Sequence, residues 1–168
     1  MLLSHHCDEI VIVKDSTDVL PVVLEARGWV WRYVTQPKPT GVFDALWRGL
    51  VAAKYDDCIV AFADNVYDLY EEIPTGDMLA SVRAVDNPQL DYFENAGWHP
   101  CNGAAHRMSF AGWLAIDRRK VAVSMNRTDL MSVFNASKIK PIIAESYWHD
   151  IGTPESYIKY WKPLQVHA

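Results

Sequence analysis

Two stretches of this chain carry an apolar or aromatic run up to an aspartate: CIVAFADN, residues 58–65, and YWHDIGTPESY, residues 147–157. Asp64 closes the first, and Asp150 stands at the corner of the second, just ahead of a Gly-Thr-Pro turn. Carboxylates are hard oxygen ligands. Two that meet can hold a divalent cation such as Mg2+, which prefers a few carboxylates together with substrate phosphate oxygens. The chemistry this serves is phosphoryl or nucleotidyl transfer, in which charge on phosphate oxygens must be neutralised as it shifts. Spacing alone makes a weak case, because aspartates at strand ends and before helices commonly act as turn formers or caps.

Other chemistry-bearing residues are less organised. His5, His6 and Cys7, with His99 and Cys101, are zinc-type ligands, but their spacings match no common zinc module. Cys58 lies inside an apolar run and reads as a small core hydrophobe. His149, beside Asp150, is an acid/base candidate whose plain reading is a loop histidine. Asn65 and Asp68 follow Asp64 and either assist it or form the turn.

The elements that must position these groups follow from periodicity. EIVIVK (9–14) is a β-branched run, STDVLPVVLEARG (16–28) a capped helix, and WVWRYVT (29–35) a second strand. A Pro/Gly-punctuated loop, QPKPTG (36–41), leads into VFDALWRGLVAAKY (42–55), whose apolar residues fall at helical spacing, and then into the strand CIVAFAD (58–64). Further strands are expected at 77–85, 91–95, 107–117 and 140–146, with a loop over Gly97–Gly103 and a helix over 128–138. A last helix begins at Thr153 as N-cap, with Pro154 at its first position and Glu155 in its first turn. Alternating strands and helices predict an α/β layered fold with mainly parallel strands, in which ligands collect beyond the carboxyl ends of the strands.

Composition narrows the function classes. One domain over residues 1–168 suits a chain that is 50% hydrophobic and 22% charged. A net charge of -5, with no basic cluster denser than Arg118-Arg119-Lys120, argues against a nucleic-acid partner. No apolar run is long enough to span a bilayer and no leader pattern opens the chain, so no membrane is expected and the cytoplasm is the expected location. Three scattered cysteines point to reduced thiols. Seven tryptophans and eight tyrosines exceed what most cores use, and suggest an interface or a stacked ligand as well as packing.

In order and character the chain resembles the sugar-1-phosphate nucleotidyltransferases, the NDP-sugar pyrophosphorylases exemplified by glucose-1-phosphate thymidylyltransferase. The resemblance runs from about Asp8 to Trp161. QPKPTGVFDAL is similar to the family's Gln-x-x-Pro-x-Gly-x-x-x-Ala-Leu loop and helix, VAFADN to its strand ending in Gly-Asp-Asn, FAGWLAID to its Gly-x-Tyr strand, and WHDIGTPESY to its Trp-x-Asp-x-Gly-Thr-Pro-Glu-x-Tyr ending. The resemblance implies a Rossmann-like, mostly parallel mixed sheet with helices on both faces. It also implies a nucleotide or sugar-nucleotide ligand, with Gln36 and Gly41 bordering the base, Asp64 and Asp150 binding catalytic Mg2+, and Asp91, His99 and Gly112 facing the sugar.

The departures are equally specific. The family opens with a strand, a Gly-Gly-x-Gly-Thr-Arg loop and a helix carrying Pro-Lys, whereas all eight glycines here are isolated and no Gly-x-Gly occurs. The phosphate-cradling half of the site is therefore missing from this sequence. Asp91 stands where the family's Tyr-Gly-Val-Val strand has glycine, and Trp98 and His99 replace the acid and base of Glu-Lys-Pro. In the family's fold the missing first strand lies between the strands represented by EIVIVK and CIVAFAD, so its absence leaves two inner edges that a folded protein must pair or cover. The expected solutions are direct closure of those two strands, a homodimer or second chain completing the sheet, or an upstream coding segment.

Overall fold

The computed structural model of the protein describes residues 7–15, 31–38, 40–67, 77–84, 91–103, 108–121, 129–144, 148–150 and 153–161. The expected helix over 16–28 lies outside the described residues. Strands β1 (Val11–Asp15) and β2 (Arg32–Gln36) pair in parallel, in register from Val11 opposite Arg32 to Asp15 opposite Gln36. Helix α1 (Val42–Ala52) follows, buries Leu46 and Leu50, and hands the chain to β3 (Asp57–Ala61). After β3 come β4 (Asn65–Tyr67), β5 (Leu79–Arg83), the short pair β6 (Tyr92–Glu94) and β7 (Gly97–His99), and the long strand β8 (Ser109–Asp117). Helix α2 (Leu130–Ala136), β9 (Lys140–Ile143), β10 (Trp148–Asp150) and a terminal turn α3 (Pro154–Ser156), continued by a π-helical turn through Trp161, complete the order.

The C-terminal end of α1 fixes the strand directions. The Lys54 N–H donates to the Glu9 carboxylate at 2.7 Å, Arg32 donates to the Ala52 carbonyl, and Arg118 donates to the Ala53 carbonyl at 2.7 Å and pairs with Asp56 at 3.0 Å. The starts of β1, β2 and β3 thus gather at one end of the helix, and all three strands run the same way. β8 is antiparallel to both β3 and β5, and β9 is parallel to β5, so β5 and β9 share the direction of β3 while β8 opposes them. This is a mixed α/β sheet whose long strands are mostly parallel in direction.

The core sits over β5 and β8. β8 is buried along its whole length, and its Leu114 is fully enclosed with Phe134, Val82 and Val133. One tryptophan anchors it: Trp98 meets Phe93, Phe110 and Phe134 edge to face at centroid distances of 5.2, 6.2 and 5.1 Å, an arrangement that ring quadrupoles favour. Two elements differ from the sequence expectation. The loop expected over Gly97–Gly103 opens instead as strand β7, hairpinned to β6 through Asn95 and Ala96, both at positive φ (49° and 60°). That is the tight turn whose twist matches paired strands, and the glycine after it had the look of loop sequence. Direct closure does not occur either: among the described residues, β1 pairs with β2, β3 pairs with β8, and the two do not pair with each other.

Candidate functional site

The site lies at the carboxyl ends of the co-directional strands. β3 ends at Ala61, a turn closed by the Asn65 N–H on the Phe62 carbonyl (3.3 Å) follows, and Asp64 stands on that turn, exposed. Its Oδ1 accepts from Asn65 Nδ2 at 2.6 Å. The short strand β4 that starts here pairs antiparallel with β10, setting Asp150 opposite Asn65, His149 opposite Val66 and Trp148 opposite Tyr67. The backbone therefore sets Asp150 opposite the residue that follows Asp64, although the two aspartates are 86 residues apart in sequence.

Of the other expected residues, Gly112 lies on the neighbouring strand β8, and Asp91 and His99 lie at the β6–β7 hairpin. The Phe62 N–H donates to the Gly112 carbonyl at 3.0 Å, which puts Gly112 two residues' distance from Asp64. Gly112 has φ 78°, a left-handed conformation that suits glycine, and it sits where β8 carries extra residues against β5 between Ala80 and Val82. Ser81 secures this bulge: its Oγ donates to the Trp113 carbonyl at 3.0 Å and accepts from the Trp113 N–H at 3.1 Å. Beyond Gly112, the Phe110 N–H donates to the Asp91 carbonyl, and His99 stacks on Tyr92 at 5.2 Å. The Asp91 carboxylate accepts from the Cys101 N–H at 2.9 Å, yet burial pushes its pKa up, helped by the negative charge of Asp129. Gly112, Asp91 and His99 thus follow one another along β8 and the hairpin paired to it.

Gln36 and Gly41 stand at the end of β2 in a closed local network. The buried Gln36 amide donates to Thr40 Oγ1 (3.1 Å), to the Gly41 carbonyl (3.3 Å) and to Asp44 Oδ2 (2.9 Å). Thr40 and Arg48 also donate to Asp44, each at 2.7 Å, and the Arg48 bond leads the causes that pull the Asp44 pKa down to about 2. Gly41 adopts φ 108°, which opens α1 without a Cβ clash. Sequence reasoning missed Asp44; its signal was the i, i+4 Asp44–Arg48 pair in the first turn of a helix. It also missed Arg83 and Lys159. Burial lowers the His149 pKa, and the positive charges of Arg83 and Lys159 lower it further, so both cations lie within electrostatic reach of the Asp150 strand.

Among the described residues, no three His, Cys, Asp or Glu side chains form a metal-binding cluster, and the zinc-type ligands His99 and Cys101 do not come together with others. At this rim of the sheet the carboxylate chemistry suits one hard cation: Asp64 keeps an oxygen beyond its bond to Asn65, and Asp150 stands across the ladder from Asn65, the next residue. No helix of the described residues is long and apolar enough to cross a membrane.

No family model matches this chain, and no curated protein matches it in sequence. Solved structures do match in fold. HddC from Yersinia pseudotuberculosis, complexed with GMP-PN, superposes with a TM-score of 0.69 at 15% identity over 97% of this chain and 81% of its own. A putative glucose-1-phosphate thymidylyltransferase from Bacillus anthracis gives 0.71 at 16% identity, over 89% of this chain and 73% of its own. UTP-bound UGPase from Acinetobacter baumannii gives 0.67 at 14% identity over 90% and 74%. The chain has a nucleotidyltransferase-like fold of the kind found in NDP-sugar pyrophosphorylases. Between about a fifth and just over a quarter of each of those three chains has no counterpart in the match.

Proposed function

We propose that the rim is a nucleotide or sugar-nucleotide site. On this reading the chain serves Mg2+-dependent transfer of a nucleotidyl group to a sugar-1-phosphate when another chain or segment completes its phosphate site. The observation that carries the reading is the β4–β10 ladder, which sets Asp150 beside the Asp64 turn at the carboxyl end of the sheet. Asp64 and Asp150 would hold the cation, which neutralises charge on the phosphate oxygens as a sugar-1-phosphate oxygen attacks the alpha phosphate and pyrophosphate leaves. Arg83 and Lys159 supply positive charge at the same end of the sheet. Gln36 and Gly41 would border the base from the end of β2, and Asp91, His99 and Gly112 would face the sugar. The structural neighbours that hold GMP-PN, UTP and UDP-glucose support the choice of ligand class.

A second reading, a non-catalytic nucleotide- or partner-binding protein, is favoured by two specific observations. The sequence has no Gly-x-Gly turn to cradle a triphosphate, and the Gln36 amide is already engaged by Thr40, Gly41 and Asp44. Calorimetric titration of the chain with a panel of NTPs and NDP-sugars, with and without Mg2+, separates the two. Mg2+-dependent binding that is lost in Asp64→Asn and in Asp150→Asn, with the fold intact, is the expected result. Binding that both variants retain removes the metal role. A folded chain that takes no nucleotide leaves partner binding as its function.

A further inference from the structure

The Gln36 amide is engaged through its nitrogen alone. Nε2 donates to Thr40 Oγ1, to the Gly41 carbonyl and to Asp44 Oδ2, while Oε1 has no hydrogen-bond partner among the described residues. That oxygen is not sealed in, although Gln36 as a residue is buried. The orientation is forced by chemistry: a carbonyl and a carboxylate can only accept, so the amide nitrogen faces them, and the reverse placing would set the amide oxygen against both. The bond to Asp44, at 2.9 Å, is the shortest of the three and is charge-assisted. Asp44 is held in turn. Thr40 and Arg48 donate to the same Oδ2 at 2.7 Å each, and Arg48, the largest influence, pulls the Asp44 pKa down to about 2, so the carboxylate is charged throughout the neutral range. Asp44 fills an unspecified position of the Gln-x-x-Pro-x-Gly-x-x-x-Ala-Leu motif, so the resemblance gives it no role.

A donor stands in the same turn as this free acceptor. Gly41 is exposed, at φ 108°, and its N–H has no partner among the described residues. The pairing edge of a nucleobase carries an exocyclic group beside a ring nitrogen: a carbonyl and an N–H in uracil, thymine and guanine, an amino group and a bare nitrogen in cytosine and adenine. The two classes present opposite polarity at the same two places. A fixed acceptor with a fixed donor therefore suits one class and sets like against like with the other. Gln36 is buried and Gly41 exposed, so the ring nitrogen, the inner of the two groups, falls to Gln36 and has to carry a proton.

We infer that Asp44 is a positioning residue for base choice in the nucleotide site proposed above, a reading on which this inference rests: it holds the Gln36 oxygen toward the ligand and so selects uracil, thymine and guanine nucleotides over those of cytosine and adenine. Asp44 does this without touching the base. Its hold on the amide nitrogen leaves Gln36 nothing but an acceptor to offer, whereas an amide free to turn could offer either polarity.

The test is calorimetric titration of the full chain and of Asp44→Ala with UTP, GTP, CTP and ATP in the presence of Mg2+, beside hydrogen exchange of the Gln36 side-chain NH2 followed by NMR. The parent is expected to bind UTP and GTP about ten-fold or more tighter than CTP and ATP, the scale set by leaving a buried polar group unpaired. Asp44→Ala, shown to be folded by its backbone amide spectrum, brings that ratio to within about three-fold by weakening UTP and GTP, because the amide can then turn. Without any ligand, the same variant speeds exchange of the Gln36 NH2 by about ten-fold or more. Gln36→Met keeps the shape without the oxygen and loses the same preference, so the outcome does not hang on one variant folding. Equal weakening of all four nucleotides by Asp44→Ala, the result of a merely structural role at the start of α1, overturns the inference. So does Gln36 NH2 exchange that Asp44→Ala leaves unchanged, or a parent that favours CTP or ATP. Binding of all four without preference overturns the inference alone, whereas a parent that binds none of them overturns the nucleotide reading and the inference with it.

Discussion

Asn135, on the exposed side of α2, is predicted to latch the hairpin that carries Asp91 and His99. Its Oδ1 accepts from the Trp98 N–H and its Nδ2 donates to the Trp98 carbonyl, each at 2.8 Å, so one side chain satisfies both backbone groups of a buried residue. The indole N–H of Trp98 is held independently, by the Ile139 carbonyl at 2.8 Å. Asn135→Ala removes two bonds worth roughly 0.5–1.5 kcal/mol each, and because Asn135 is exposed, water replaces part of the loss, leaving about 1–2 kcal/mol. With a urea slope of about 1–3 kcal/mol per molar for a domain of this size, the midpoint falls by roughly 0.5–1 M. Asn135→Asp keeps the acceptor but sets a carboxylate against the Trp98 carbonyl, so it is expected to be at least as destabilising as alanine. Urea unfolding of the two variants beside the parent checks both the size and the order. An Asn135→Ala midpoint that does not move refutes the latch, and an Asn135→Asp variant as stable as the parent refutes the assigned polarity of the two bonds.

Two further outcomes are expected. Burial raises the Asp91 pKa, so the folded state tolerates the protonated carboxyl better than the charged one. The contribution of this group to stability is then full below its ordinary pKa and is lost as pH rises through the raised value. Asp91→Asn should accordingly gain stability relative to the parent at neutral pH and not at pH about 3, as read by thermal unfolding at both. At the other end of the chain, Thr153 accepts from the Ser156 N–H at 3.2 Å while Ser156 Oγ accepts from the Thr153 N–H at 3.2 Å. Thr153→Ala should cost about 1 kcal/mol, local to the terminal turn, and Thr153→Ser should recover most of it; urea unfolding of both variants is the check.

The sequence by itself determined the elements whose cause is local. The apolar spacing of residues 42–52 made α1, the Thr-Pro-Glu-Ser order made the capped turn at Thr153, and the uninterrupted run SFAGWLAID made a strand buried on both faces. It also set which ends of the strands carry Asp64 and Gln36, because a strand's direction follows from the helix that feeds it. What it did not determine depends on partners far along the chain. Strands β4 and β10 are three residues each, too short for any period to show, and exist because Asn65–Tyr67 meets Trp148–Asp150 across the fold. Strand β7 looked like loop sequence until Asn95 and Ala96 turned it onto β6 and Trp98 found a place among Phe93, Phe110 and Phe134. The pairing of β1 with β2 and of β3 with β8 was decided the same way, because pairing energy is available only where a second backbone arrives.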